Sequence, residues 1–173
     1  EMMATQSQKR VESHETAKSQ EQAVPCMVFQ HFPVQQYYQL LKPAATNAAR
    51  AIEGYRNFAG KHYVLDEEKT LPGSYLGEGI SCPDTDSGEF AILEQCGYFA
   101  ISAGHDHRNA FVGTVPVSRE MASADAQTAA SPGKVGGLMM IASPTSGFGS
   151  YGPVPQKRAA RLIEFDIRHP YEP

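Results

Sequence analysis

The chain lacks the features that mark several large classes of protein. It carries 15 Lys and Arg residues against 19 Asp and Glu residues, a net charge of -4, so no basic surface attracts nucleic acid or an anionic membrane. No apolar run approaches the length of about 18 residues that a membrane-spanning helix needs. The sequence therefore predicts neither a nucleic acid nor a membrane as partner.

Cysteine is also scarce, with only Cys26, Cys82 and Cys96. An odd number at irregular spacing fits neither a disulfide framework nor a Cys-x-x-Cys zinc site. Buried free thiols are expected instead, and they favour a reducing compartment such as the cytoplasm.

The length of 173 residues predicts one sizeable core rather than two independent domains. Residues 1–22 are good helix formers with a thin apolar stripe, which predicts a surface helix. Residues 23–173 are expected to form one domain, interrupted by a flexible Ala-, Ser- and Gly-rich insertion at 118–137. The first residue is Glu1 rather than methionine, so we expect the chain to be a piece of a longer protein.

Within that domain, apolar runs and breakers predict a mixed α/β pattern. Strands are expected at 24–29, in the run before Gly104, and at 110–117, 138–142 and 159–167. Helices are expected at 34–42, 44–58 and 87–96, the last opened by a capping box of Asp86 and Glu89. A long ordered loop is expected at 71–87 and a tight hairpin connection at 147–152.

The strongest chemical signal follows two of these strands. The run before Gly104 leads directly into His105 and His107, and the strand at 24–29 leads into His31. A buried strand fixes the backbone, and imidazoles at its carboxyl end are well placed to hold a metal ion. The sequence therefore predicts a metal site built from these three histidines.

A set of short segments, in this order along the chain, carries a resemblance to a known family. They are Phe29-Gln30-His31-Phe32-Pro33, Gly77-Glu78 with Cys82-Pro83 and Ser87-Gly88, Gly104-His105-Asp106-His107 with Asn109, Phe111 and Gly113, the turn at 147–152, and the segment at 158–166. The set resembles the carboxyl-terminal half of a calcineurin-like metallophosphoesterase, most closely the purple-acid-phosphatase-like branch.

This resemblance implies a fold and a chemistry. The fold would be the C-terminal half of a four-layer α/β/β/α sandwich with a mixed sheet. The activity would be metal-dependent hydrolysis of a phosphoester substrate by two divalent or trivalent ions (Fe, Zn or Mn), which clamp the phosphoryl group and lower the pKa of a bound water. His31 and His105 would ligate the second metal, and His107 the first.

The chain departs from the family pattern in its carboxylates. In the family, the first half of the domain supplies an Asp-x-His, a Gly-Asp that carries the bridging aspartate, and a Gly-Asn-His. This chain contains no Gly-Asp and no Gly-Asn dipeptide, so the bridging aspartate and the catalytic residues are expected in a missing N-terminal half of the same domain. Asp106 lies between two ligands and would point away from a site that they face. Asp84 and Asp86 are expected to be loop and cap residues.

Two other interpretations stay open at this point. The chain could be a truncated, non-catalytic remnant that binds at most one metal weakly through His31 and His105. A cysteine hydrolase using Cys26 with His31 is disfavoured, because Cys26 falls inside an apolar strand with no nearby cation to lower the pKa of its thiol.

Overall fold

The computed structural model of the protein describes residues 25–116 and 137–168. The predicted surface helix at 1–22 lies outside the described residues. So does the predicted insertion at 118–137, except for its last residue, Gly137, which begins a strand.

Seven strands and one α-helix make up the regular structure of the described residues. The strands are β1 (Cys26–Gln30), β2 (Leu41–Ala44), β3 (Ile52–Glu53), β4 (His62–Leu65), β5 (Tyr98–Ala103), β6 (Phe111–Pro116) and β7 (Gly137–Ala142), and the helix is α1 (Glu89–Gln95). Short 3-10 helices lie at Gln35–Leu40, Arg56–Phe58 and Pro155–Lys157. The predicted mixed α/β class is confirmed.

The strands form two sheets. The larger one has the order β1-β5-β7-β6, in which β1, β5 and β7 run parallel and β6 runs antiparallel to β7. The smaller one is antiparallel with the order β2-β4-β3. The predicted strands at 24–29, 110–117 and 138–142, and the strand before Gly104, are confirmed and all lie in the larger, mixed sheet.

The core lies between this sheet and the 3-10 helix Gln35–Leu40. Phe111 and Val115 alternate with half-buried residues along β6 and turn one face of the strand inward. Tyr37 is fully buried there, with its hydroxyl 3.1 Å from the carbonyl oxygen of Ile101 and 2.9 Å from that of Ile141. Burial raises the pKa of Tyr37, so the hydroxyl stays a neutral donor that ties the 3-10 helix to β5 and β7.

Removing this hydroxyl tests how firmly the 3-10 helix is held on the sheet. We expect Tyr37→Phe to lower the free energy of unfolding by about 1 to 2 kcal/mol, since a buried hydrogen bond is lost with little change in volume. Urea denaturation measures it. Tyr63→Phe is the control, because the Tyr63 hydroxyl makes no hydrogen bond to the described residues, and an equal loss in both variants would contradict the assignment.

Two predicted helices are wrong in this region. The segment 34–42 is a 3-10 helix only as far as Leu40, and 44–58 contains the end of β2, the strand β3 and a 3-10 turn. Helix propensity is overridden by aromatic packing: the Phe58 ring stacks on the Tyr38 ring at 3.7 Å, and the Tyr38 hydroxyl accepts the backbone N–H of Tyr55. These contacts need a chain that folds back rather than one continuous helix.

The predicted helix at 87–96 is confirmed as α1, but its predicted capping box is wrong. The N-cap is Gly88, at φ 77°, with no side-chain cap. Asp86 instead accepts the N–H of Gly88 with one carboxylate oxygen and the Gln36 side-chain amide with the other.

The predicted last strand at 159–167 is also wrong. Apolar and acidic residues alternate in this segment of the sequence, as in a half-buried strand. These residues nevertheless pair with no described strand, and Leu162 and Ile167 are both 86% exposed. The segment at 147–152 is therefore a bend that leads into an irregular tail, not a hairpin between two strands.

Candidate metal centre

The two histidine-bearing strand ends meet at one edge of the larger sheet. β1 and β5 are adjacent and parallel, and their last residues, Gln30 and Ala103, are register partners. His31 and His105 follow within two residues, so both imidazoles emerge at the carboxyl edge. This is the arrangement that the sequence predicted.

The imidazoles of His31 and His105 are in direct contact. His105 Nδ1 lies 3.1 Å from His31 Nε2, and the ring centroids are 4.9 Å apart. Two nitrogens bound to one ion at about 2.1 Å and at angles of about 90 to 110° would be separated by roughly 3.0 to 3.4 Å. The spacing of the two nitrogens matches that of two ligands of one metal ion, and it also matches a direct hydrogen bond between the rings. We call the two residues the histidine pair.

The protonation state of His105 suits the same role. Burial, together with the neighbouring His31 and His107, lowers the pKa of His105 below its usual value. A neutral imidazole offers the lone pair that a metal ligand needs. The backbone of His105 is left-handed, with φ 65°, so the chain leaves the extended conformation of β5 at this residue.

Phe32 packs against both members of the histidine pair. Its ring centroid lies 4.9 Å from that of His31 and 4.5 Å from that of His105. These contacts pack one aromatic ring against both imidazoles.

His107 is held beside the pair by a different element. Its Nδ1 lies 2.8 Å from the carbonyl oxygen of Tyr151, and its ring stacks on the Tyr151 ring at 4.3 Å. A carbonyl can only accept, so Nδ1 carries the proton and Nε2 keeps the lone pair in the neutral ring. The structure thus joins His31 to His105 and places His107 against the tail.

Asp106 turns away from the histidines. Only 5% exposed, its carboxylate accepts the backbone N–H of Ser81 with both oxygens, at 3.1 and 3.2 Å. Burial raises the pKa of Asp106 to about 6. The expectation that Asp106 points away from the ligands is met, and its carboxylate cannot bridge two ions at the histidine pair.

Asn109 extends this connection. It is fully buried, and its side-chain oxygen accepts the backbone N–H groups of Gly77 and Glu78 at 3.0 and 3.1 Å. The Glu78 carboxylate in turn accepts the N–H of Arg108 at 2.8 Å. Asp106 and Asn109, which we call the polar clip, therefore fix the loop at 76–81 onto the histidine turn.

Two open clefts flank Phe32. The larger, about 580 Å³, reaches His105 and contains Tyr55, Arg56 and Asp84, and the smaller, about 380 Å³, reaches His31. Arg56 and Asp84 form a two-point ion pair that lowers the pKa of Asp84. Asp84 is thus a loop residue, as predicted, whereas no pattern in the sequence pointed to Tyr55 or Arg56.

The remaining candidates do not contribute to this edge. Cys26 starts β1 and His31 follows its end, so the two lie at opposite ends of a five-residue strand and cannot form a nucleophile and base pair. Of the three cysteines, Cys82 is buried, as expected, but Cys26 is half-buried and Cys96 is exposed. No helix among the described residues has the length and apolar character to cross a membrane.

In residues 25–116 and 137–168, no cluster of three or more His, Cys, Asp or Glu side chains is arranged to hold a metal ion. A metal ion at the histidine pair would therefore have only these two imidazoles from the described residues and would need further donors from elsewhere. Comparison with known proteins returned no family model, no curated protein and no solved structure that matches this chain.

Proposed function

We propose that this chain is the C-terminal half of a metal-dependent phosphoester hydrolase of the calcineurin-like type, a half of a four-layer α/β/β/α sandwich. The observation that carries the proposal is the 3.1 Å spacing of the His31 and His105 nitrogens at the carboxyl ends of two parallel strands. The carboxylates that complete a centre for two ions (Fe, Zn or Mn) come from an N-terminal half of the same domain.

The residues of this chain have distinct tasks in that function. His31 and His105 would hold one ion, and His107 would offer Nε2 to the other, because its Nδ1 donates to the Tyr151 carbonyl oxygen. When bound, the ions supply charge stabilisation for the phosphoryl oxygens and a water of lowered pKa. Hydrolysis replaces the ester P–O bond by one to the oxygen of water, and the leaving alcohol takes a proton.

The polar clip and Phe32 position the histidines and do not themselves contact the metal ions in this proposal. The clip fixes the turn that carries His105, and Phe32 packs on both rings of the histidine pair. Ligands that are held in place before the metal arrives lose less conformational entropy on binding, which raises metal affinity.

A second candidate function is a single-metal binder without catalysis. The observation that favours it is the orientation of Asp106, whose carboxylate is used by Ser81 and is not available to an ion. Both candidates require the histidine pair to bind metal, and they differ in whether a carboxylate-bearing half exists.

Metal binding is the first test. We expect the chain to bind zinc, or cobalt as its coloured substitute, and His31→Gln or His105→Asn to weaken binding at least about tenfold through loss of one ligand. Asparagine at position 105 tolerates the left-handed backbone, so the turn is kept. Calorimetry and the visible spectrum of bound cobalt report the result.

The matched control is His62→Gln, which removes a half-buried imidazole from β4, in the other sheet. Equal losses at His31 and His62, or no binding by the unaltered chain, would overturn both candidate functions. The mass of the native protein separates them: a mass well above 18.8 kDa, with Asp-x-His, Gly-Asp and Gly-Asn-His upstream, supports the hydrolase. A native chain without those motifs supports the single-metal binder.

A further inference from the structure

The larger cleft beside His105 has the dimensions of a small-molecule site. Its volume of about 580 Å³ falls in the range of ligand pockets. Phe32 and Tyr55 line it, and each is 52% exposed. Two aromatic rings that are held open to solvent offer apolar area to a planar ligand.

The backbone of this cleft is unusual at two points. Arg56 and His105 both line it, and both are left-handed at φ 55° and 65°. For residues other than glycine this conformation costs about 1 to 2 kcal/mol, and such strain clusters at functional sites. Arg50, at φ 62°, is the other non-glycine residue of this kind in the described part, and it does not line the cleft.

Arg56 brings a positive charge to the same cleft. Its Nε and Nη2 contact the two oxygens of Asp84, so a two-oxygen anion fits this guanidinium. A guanidinium has five N–H groups, and the ion pair uses two of them. The other three have no hydrogen-bond partner among the described residues, and the side chain is half exposed, so they can donate to the oxygens of a ligand.

We propose that this cleft binds the phosphate ester of an aromatic alcohol. The aromatic ring packs against Phe32 and Tyr55, and the phosphate oxygens accept the free N–H groups of Arg56, with the ester next to His105. The inference rests on the proposed function, because it names the substrate class of the same site.

Calorimetric titration of the full chain with phenyl phosphate and methyl phosphate tests this inference. We expect phenyl phosphate to bind at least about tenfold more tightly than methyl phosphate, because only the phenyl ring contacts the aromatic walls. Arg56→Asn should weaken phenyl phosphate binding at least about tenfold by removing charge-assisted hydrogen bonds. Tyr55→Ala should remove most of the preference for phenyl over methyl.

Arg50→Asn is the matched control for Arg56→Asn. Both arginines are exposed and left-handed, both pair with a carboxylate, and asparagine tolerates that backbone conformation at either position. The control should bind phenyl phosphate as the unaltered chain does. Equal affinity for the two esters, or an Arg56→Asn variant that binds as the control does, would overturn the inference.

Titrations in EDTA separate this inference from the proposed function. Phenyl phosphate binding in EDTA that depends on Arg56 supports the cleft even if the chain binds no cobalt, a result that would overturn both metal-dependent candidate functions and leave the cleft standing. Cobalt binding without any preference for phenyl phosphate over methyl phosphate would contradict only the inference about the cleft. A phosphotyrosyl peptide identifies the source of the ester: tighter binding than phenyl phosphate indicates a protein side chain, and equal binding a small molecule.

Discussion

Asn109→Ala is expected to lower the free energy of unfolding by about 2 to 4 kcal/mol. The side-chain oxygen of Asn109 is fully buried and accepts two backbone N–H groups, those of Gly77 and Glu78. Alanine leaves both half-buried N–H groups without this acceptor, and a donor left unsatisfied away from water costs about 1 to 3 kcal/mol.

Chemical denaturation gives the magnitude, and amide hydrogen exchange gives the location. Exchange should become faster at Gly77, Glu78 and Ser81, because these amides bind the polar clip. Asn47→Ala is the matched control, in an exposed turn, and should change stability by less than about 0.5 kcal/mol. A loss no larger than that of the control would mean that the clip does not hold the loop.

The part of the site that could be predicted from the sequence depends on local pattern. β1 and β5 are apolar runs that end in histidine, and parallel strands bring their carboxyl ends to one edge. His31 and His105 could therefore be placed together before any coordinates existed. Their exact nitrogen spacing depends on the left-handed turn at His105, which no sequence pattern indicated.

The remainder of the site depends on contacts between distant segments. Ser81 and Asp106 are 25 residues apart, and the hydrogen bond between them joins a loop amide to a buried carboxylate. No repeating pattern of apolar and polar residues in the sequence predicts such a bond. The helix predicted at 44–58 failed for the same reason, since Phe58 stacks on Tyr38 across 20 residues of chain. Arg56 lines the cleft from the short 3-10 helix Arg56–Phe58, which lies within that predicted helix.

The buried carboxylate of Asp106 should also make stability depend on pH. Burial raises the pKa of Asp106 to about 6 in the folded chain, against about 4 when the chain is unfolded. Between these values the folded state keeps a proton that the unfolded state has released, so stability is highest below about pH 4 and falls as pH rises to about 6. Two pKa units correspond to about 3 kcal/mol.

Comparison with Asp106→Asn isolates this contribution from all other titrating groups. The asparagine variant has no carboxyl group at position 106, so its free energy of unfolding should not decrease between about pH 4 and pH 6 on this account. Relative to the unaltered chain, its free energy of unfolding should therefore rise by about 3 kcal/mol across that range. A destabilisation that the asparagine amide causes beside the Ser81 N–H is the same at every pH. It lowers the whole curve of stability against pH and does not change the slope of that curve. Parallel curves, measured by urea denaturation in EDTA, would mean that Asp106 ionises normally and that the clip carries a charge at acidic pH. The expected result, a stability difference between the two proteins that changes by about 3 kcal/mol between pH 4 and pH 6, would mean that folding keeps the Asp106 carboxyl group protonated until about pH 6. The turn that carries His105 and His107 would then be held by a neutral carboxyl group.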